Sequence, residues 1–465
     1  MISLADAIIN NQDEYIIRYV HSGIDLNELN ELDEYGFTPL IEAAIADNFE
    51  IAKVLIENGV NVNLQDMTGG TALHWAAENN NLNLAELLLK KGADPNAYTF
   101  AGQPILVIPI LRQKNKLKNL LLKNGASLEF AQDFINTKLL GHIFELVGTA
   151  NIIDPKNNFV ELDFEGFYLE FSLAIIAESL AQFKNHFAAR DLRRYNQQLQ
   201  IIVDVIYRAA SLIKYQQYRT DIKKFHNQID QLITQEPLII PVGYEGHAIT
   251  FIKAGSIFIK CDRREESRLY DNVVFYHINQ PQRMSIEFIK HLIYEKQSSH
   301  FINTELQNYL ELQPLTEIKV AAQISGNCSW ANVEATIPAL FFLLFSGVQD
   351  FQQNMSRYKN MALTVFNRWR EWNKTRTLSF CIQSFKTADS IRKVCKAEIL
   401  GAILFQTCQL DNPLERTRVE EILEILTLPE YEYILKNYIQ TYVYEDLGTE
   451  GKIFMQLLKS VGYIK

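Results

Sequence analysis

At 465 residues, with 48% hydrophobic and 22% charged side chains, the chain is too long for one ordinary core, and two or three globular domains are expected. A formal net charge of −10 is repelled by phosphate backbones and anionic lipid, which excludes general nucleic-acid or membrane-surface binding. The five cysteines, Cys261, Cys328, Cys381, Cys395 and Cys408, contain no CxxC pair; a disulfide framework or structural zinc is not expected, and a reducing compartment is.

In chain order, the N-terminal MISLADAIINNQDEY carries acids and no basic region, so no signal peptide is expected. The chain then repeats. Gly36, Gly69 and Gly102 share one spacing, as do Leu40, Leu73 and Leu106, and Gly59, Gly92 and Gly125; the period is 33, that of an ankyrin unit. Asp33 opens DEYGFTPLIEAAIADNFEIAKVLIENGVNVN and Asp66 opens DMTGGTALHWAAENNNLNLAELLLKKGADPN. TPL or TAL starts each first helix, Ala43–Ala44 and Ala76–Ala77 allow close helix approach, and the glycine ends each second helix at positive φ. An atypical copy spans Leu4 to Leu26. A degraded one, Phe100 to Leu128, has Pro104 and Pro109 where Thr and Ala are expected. Four repeats with irregular ends predict an α-solenoid over 1–145, with a protein-binding surface that includes His74 and Trp75.

Asn151 to Phe167 is turn-rich and reads as a boundary. Leu173, Ile176, Leu180 and Phe183 mark helical spacing between Leu169 and about Gln235. Strand patterns follow, PLIIPV, HAITFIK and SIFIKCD, with Gly255 turning between the second and third. The run Ala335–Val348 is too short to span a bilayer and predicts a buried helix. Arg190, Arg193 and Arg194, and Arg368, Arg370 and Lys374, read as solvated helix faces. The expected organisation is thus a solenoid at 1–145, an α+β domain at 146–350, and an all-α region at 351–465 that would cap a cleft.

Within QISGNCSWAN, Cys328 stands at the mouth of the buried helix, where unpaired N–H groups and the helix dipole favour thiolate. A nucleophile needs a base, and His247 opens the strand HAITFIK. Asp262 closes the next strand and would sit across the hairpin from His247 as its orienter, with Glu265 and Asp271 as other carboxylates. Gln323 and the Cys328 N–H are candidate oxyanion donors.

In this order the four residues resemble the adenain, Ulp-type and YopJ-type cysteine peptidase clan, over 247 to about 332. The resemblance implies a papain-like or Ulp-like fold, with Cys328 as nucleophile, His247 as base, Asp262 as orienter and Gln323 as oxyanion donor. Clan members cleave ubiquitin-like modifiers or isopeptide bonds. One branch transfers acetyl groups, usually with Glu as third member, so Asp262 tilts toward hydrolysis. The acidic residue and glycine that usually flank the cysteine are here Asn327 and Ser329, and Ala248 replaces a frequent aromatic. An inactive protease fold serving as a scaffold is the other expectation.

Asn63 and Asn96 match the repeat position that cytosolic asparaginyl hydroxylases modify, and Leu88, Asp94 and Asn96 resemble their substrate pattern. The whole chain is similar to the ankyrin-repeat effectors that Legionella injects through a Dot/Icm type IV secretion system. That implies delivery to the host cytoplasm or nucleus and a host protein as partner. Glu445, Asp446 and Glu450 resemble the acidic segment near such translocation signals. No GxxxxGK[ST], HExxH or GxSxG motif occurs. No cofactor, metal, direct DNA binding or membrane span is expected, and a monomer is the default.

Overall fold

The computed structural model describes residues 4–22, 28–34, 36–218, 222–244, 246–264, 273–323, 326–347, 351–408, 413–445 and 448–464. Leu26, Glu265, Asp271, Val348 and Asp446 lie outside the described residues. The chain divides into two compact units, Met1–Thr137 with Thr149–Asp163, and Lys138–Gly148 with Phe164–Lys465.

The first unit is built of helix pairs: Leu4–Ile9 with Asp13–His21, Pro39–Ile45 with Phe49–Glu57, Ala72–Glu78 with Leu82–Lys90, and Val107–Leu111 with Asn115–Lys123. Thr38 caps its helix by accepting from Ile41 N at 3.2 Å, and Asn48 and Asn81 cap the second helices of the middle pairs. In the degraded copy no side chain caps the first helix, which shrinks to five residues. Ala43, Ala44, Ala76 and Ala77 are buried, so the paired backbones meet closely. Gly59, Gly92 and Gly125 leave their helices at φ of 87°, 88° and 93°.

A ladder of asparagines joins successive turns. Asn30 Oδ1 accepts from Asn61 N at 2.9 Å, Asn63 Oδ1 from Asp94 N at 2.8 Å and Asn96 Oδ1 from Ser127 N at 2.7 Å. Asn63 and Asn96 also donate through Nδ2 to Gly92 O and Gly125 O, at 2.9 and 2.8 Å.

The turn-rich stretch holds an antiparallel hairpin, β1 (Thr149–Ile153) and β2 (Phe159–Asp163), and the chain passes from the first unit to the second within it, after Asp163. Its turn residues are concentrated between the strands, where Asp154 Oδ1 accepts from Lys156 N and Asn158 N, both at 2.8 Å.

The second unit carries a five-stranded antiparallel sheet in sequential order: β3 (Leu238–Tyr244), β4 (His247–Ala254), β5 (Ile257–Cys261), β6 (Val273–Ile278) and β7 (Leu312–Ile318). Helices Leu169–Asn185 and Asn196–Ile213 pack on each other, and the latter lies against β3. The short helix Cys328–Glu334 packs on β4 and continues, after Ala335, as Thr336–Leu343. Pro338 breaks the intervening ladder, because its ring clashes with the carbonyl four residues back. Phe251, Phe258, Phe341 and Phe342 are closed to solvent in this core. The helices from Met355 to Ser460 belong to the same unit, and Met355–Thr387 packs on Thr336–Leu343. Among the described residues, no helix is long and apolar enough to cross a membrane.

Candidate active site

Strands β4 and β5 pair with Thr250 opposite Cys261 and Ala254 opposite Ile257. Continued past Cys261, this register puts Asp262 on the diagonal from His247, within side-chain reach. His247 Nε2 meets Asp262 Oδ1 at 3.2 Å. Asp262 also accepts from Arg264 N at 3.3 Å and lies 3.5 Å from Lys260 Nζ. The buried Tyr244 ring stands edge-on to His247, 5.4 Å between centroids, while its hydroxyl accepts from Arg264 Nη2 at 2.9 Å.

Cys328 is the first residue of its helix, as its place in the sequence suggests, and is the one cysteine of the five that is not buried. Its Sγ accepts from Ala248 N at 3.3 Å, and the neighbouring His247 side chain acts on the thiol electrostatically. With Nε2 committed to Asp262, Nδ1 is the ring nitrogen that serves the thiol. Burial pushes the Cys328 thiol up, but His247 and the N–H groups of Ala248 and Ser329 outweigh it and hold the thiol below its ordinary value. Burial likewise pushes His247 down, and Asp262 with Cys328 raises it above the usual imidazole. Asp262 is held below the ordinary carboxylate against its burial by His247, Lys260 and Arg264. All three shifts favour the ionised trio.

Gln323 N donates to Arg263 O at 2.8 Å, which moors it beside Asp262. Its Oε1 is enclosed and has no hydrogen-bond partner among the described residues. Between Gln323 and Cys328 the chain turns at Gly326, φ 77°, where a Cβ would overlap Glu165. Asn327 is buried and its carboxamide brackets His142: Oδ1 is 2.5 Å from His142 Nδ1, and Nδ2 donates to His142 O at 3.2 Å. The His142 ring lies parallel to Trp330, and burial lowers it to about 4, so it is neutral.

Four supporting residues escaped the sequence reading. Asn332, 1% exposed, donates through Nδ2 to Ala248 O and accepts at Oδ1 from Arg263 N, both at 2.7 Å. Arg263 is fully buried, with Nη1 2.5 Å from Glu334 and Nη2 3.0 Å from Glu145. Arg370 reaches the same two carboxylates at 3.2 and 3.0 Å. The expectation of a solvated face therefore fails at Arg370, which joins Arg263 in neutralising the buried Glu334 and the half-buried Glu145. Asn332 and Glu334 had one visible signal, being polar inside the apolar stretch WANVEATIPALFF. Arg263 had none, since it is one charge among many in DRREESR.

On the repeats, His74 Nδ1 accepts from Thr71 N at 3.0 Å, and burial lowers it to about 4. Trp75 Nε1 donates to Asp66 Oδ2 at 2.9 Å. Both side chains are half-buried. Asn63 and Asn96 form the ladder described above. Among the described residues no three His, Cys, Asp or Glu side chains gather in a metal-binding group.

The family model for ankyrin repeats matches residues 4–99 in three copies, which makes the first unit an ankyrin-repeat array. No curated protein matches the chain. The solved structure of the Legionella effector AnkH is 39% identical, with a TM-score of 0.85 over 99% of this chain and 98% of that one. The chain belongs to the AnkH family.

Proposed function

We propose that the chain is a bacterial effector secreted into a host cell, where the ankyrin surface that includes His74 and Trp75 holds a host protein. Cys328 then attacks a peptide or isopeptide carbonyl of that protein or an attached modifier. The observation that carries this reading is that Cys328 Sγ is bonded to the N–H of Ala248, next to His247, which is itself 3.2 Å from Asp262, with the thiol held below its ordinary value. As Sγ bonds to the carbonyl carbon, the oxyanion takes hydrogen bonds from the Cys328 N–H and the Gln323 amide. His247 passes its proton to the leaving amine, the C–N bond breaks, and water hydrolyses the thioester with His247 as base.

In this reading residues 1–145 recruit, 146–350 hold the chemistry and 351–465 cap its cleft. No cofactor enters, the protein acts as a monomer, and a type IV system exports it with Glu445, Asp446 and Glu450 near the translocation signal. Hydroxylation of Asn63 or Asn96 is a side proposal; finding Asn96 unmodified by mass spectrometry after hydroxylase treatment would sink it.

A protease-fold scaffold is the second reading, favoured by Asn327 and Ser329 beside the nucleophile; an acetyltransferase is the lesser one. The test is the rate of iodoacetamide alkylation at Cys328 from pH 4 to 9, in the parent and in His247→Ala. A reactive plateau well below the free-thiol value of about 8.5, lost in the variant, supports the enzyme. A profile at the free-thiol value, or none, favours the scaffold.

A further inference from the structure

We propose that Asn332 is a positioning residue that holds His247 and Asp262 in register with Cys328, an inference that rests on reading Cys328 as a nucleophile. Asn332 lies one helical turn after Cys328 on the same short helix, so both side chains face β4. Its Nδ2 donates to the carbonyl of Ala248, the residue after His247, and its Oδ1 accepts from the N–H of Arg263, the residue after Asp262. One carboxamide thus spans the open mouth of the β4–β5 hairpin and ties both strand ends to the nucleophile's helix. On the other side of the same residue, Ala248 N donates to Cys328 Sγ at 3.3 Å. Ala248 is therefore clamped between Cys328 and Asn332, and His247 is its direct chain neighbour.

The chemistry of the site selects asparagine. A half-buried carbonyl and a buried N–H are satisfied by one side chain of fixed width, which takes one donor and one acceptor on a planar group. Aspartate offers two acceptors and leucine neither. Helix burial does not depend on this residue alone, because Trp330, Ala331 and Val333 on its other sides are themselves buried, and Arg263 is separately fixed by Glu334, Glu145 and Ala321 O. What Asn332 adds is the lateral setting of the two strand ends, on which the His247–Asp262 and His247–Cys328 contacts depend.

The test uses the full chain and the neutral variants Asn332→Leu and Asn332→Ser, so that no new charge acts on the thiol. Near-ultraviolet circular dichroism reports folding, and the pH profile of Cys328 alkylation is measured in the parent, each variant, His247→Ala and the double variants. In a folded variant the acid limb should move toward the free-thiol value, with alkylation at pH 6 slowed at least tenfold. The change should vanish in the His247→Ala background, as it must if Asn332 acts through His247. A folded variant with an unshifted limb, or a loss that adds to that of His247→Ala, overturns the proposal. So does failure of both variants to fold, which would make Asn332 a structural post. A parent profile identical to that of His247→Ala instead sinks the nucleophile reading, and the proposal with it.

Discussion

Arg263 Nη1 lies 2.5 Å from Glu334 Oε1, with the two side chains 0% and 4% exposed. An ion pair this enclosed is costly to break from one side, since the survivor keeps its charge without its partner. Arg263→Met should therefore destabilise the second unit by about 3 kcal/mol, the lower end of the range for such cuts, because Arg370 still reaches Glu334. Urea unfolding measures it. Adding Glu334→Gln should recover part of the loss.

Asp262→Asn keeps the size of the His247 partner and removes its charge. The imidazolium loses its main support, so the Cys328 thiol should rise toward its ordinary value. Each pH unit of that rise removes about tenfold of the thiolate in acid solution. Alkylation at pH 6 should fall by roughly that factor or more, with the unfolding midpoint nearly unchanged.

Burial, reinforced by the Asp33 carboxylate, raises Glu42 in the second repeat from 4.5 to about 7. The folded array therefore binds a proton that the unfolded chain has already released between those values. Its stability should fall as pH rises from about 4.5 to about 7 and level off beyond. Thermal unfolding across that window measures the slope, and Glu42→Gln should flatten it.

Asn96 spends both ends of its carboxamide on the next turn, at Ser127 N and Gly125 O. Asn96→Ala should cost about 1–2 kcal/mol, two partly solvated hydrogen bonds at their usual net value. Equilibrium urea unfolding of the full chain, followed by a probe in the repeats, is the measurement, and Asn63→Ala should behave alike.

The repeats were legible because a 33-residue period is stamped on glycine, leucine and alanine alike. β3, β4 and β5 were legible as short apolar, β-branched runs with Gly255 turning between the last two. β7 was not, since LQPLTEI places Pro314 and the exposed Leu315 in an edge strand whose partner, β6, is distant in sequence. In the site, Cys328 announced itself by its turn, and His247 with Asp262 by hairpin geometry. Asn332 carried only the oddity of an amide in an apolar helix. Its meaning depends on β4 crossing that helix, which no local pattern encodes.

The asparagine ladder sets a rule for how this array can grow. Each rung joins a residue to another 31 positions on, from Asn30 to Asn61, Asn63 to Asp94 and Asn96 to Ser127. A whole unit inserted between rungs brings its own asparagine and finds a waiting N–H, whereas an insertion of a few residues strands both. Length variation among relatives should therefore come in quanta of one repeat, with smaller changes confined to the loop tips.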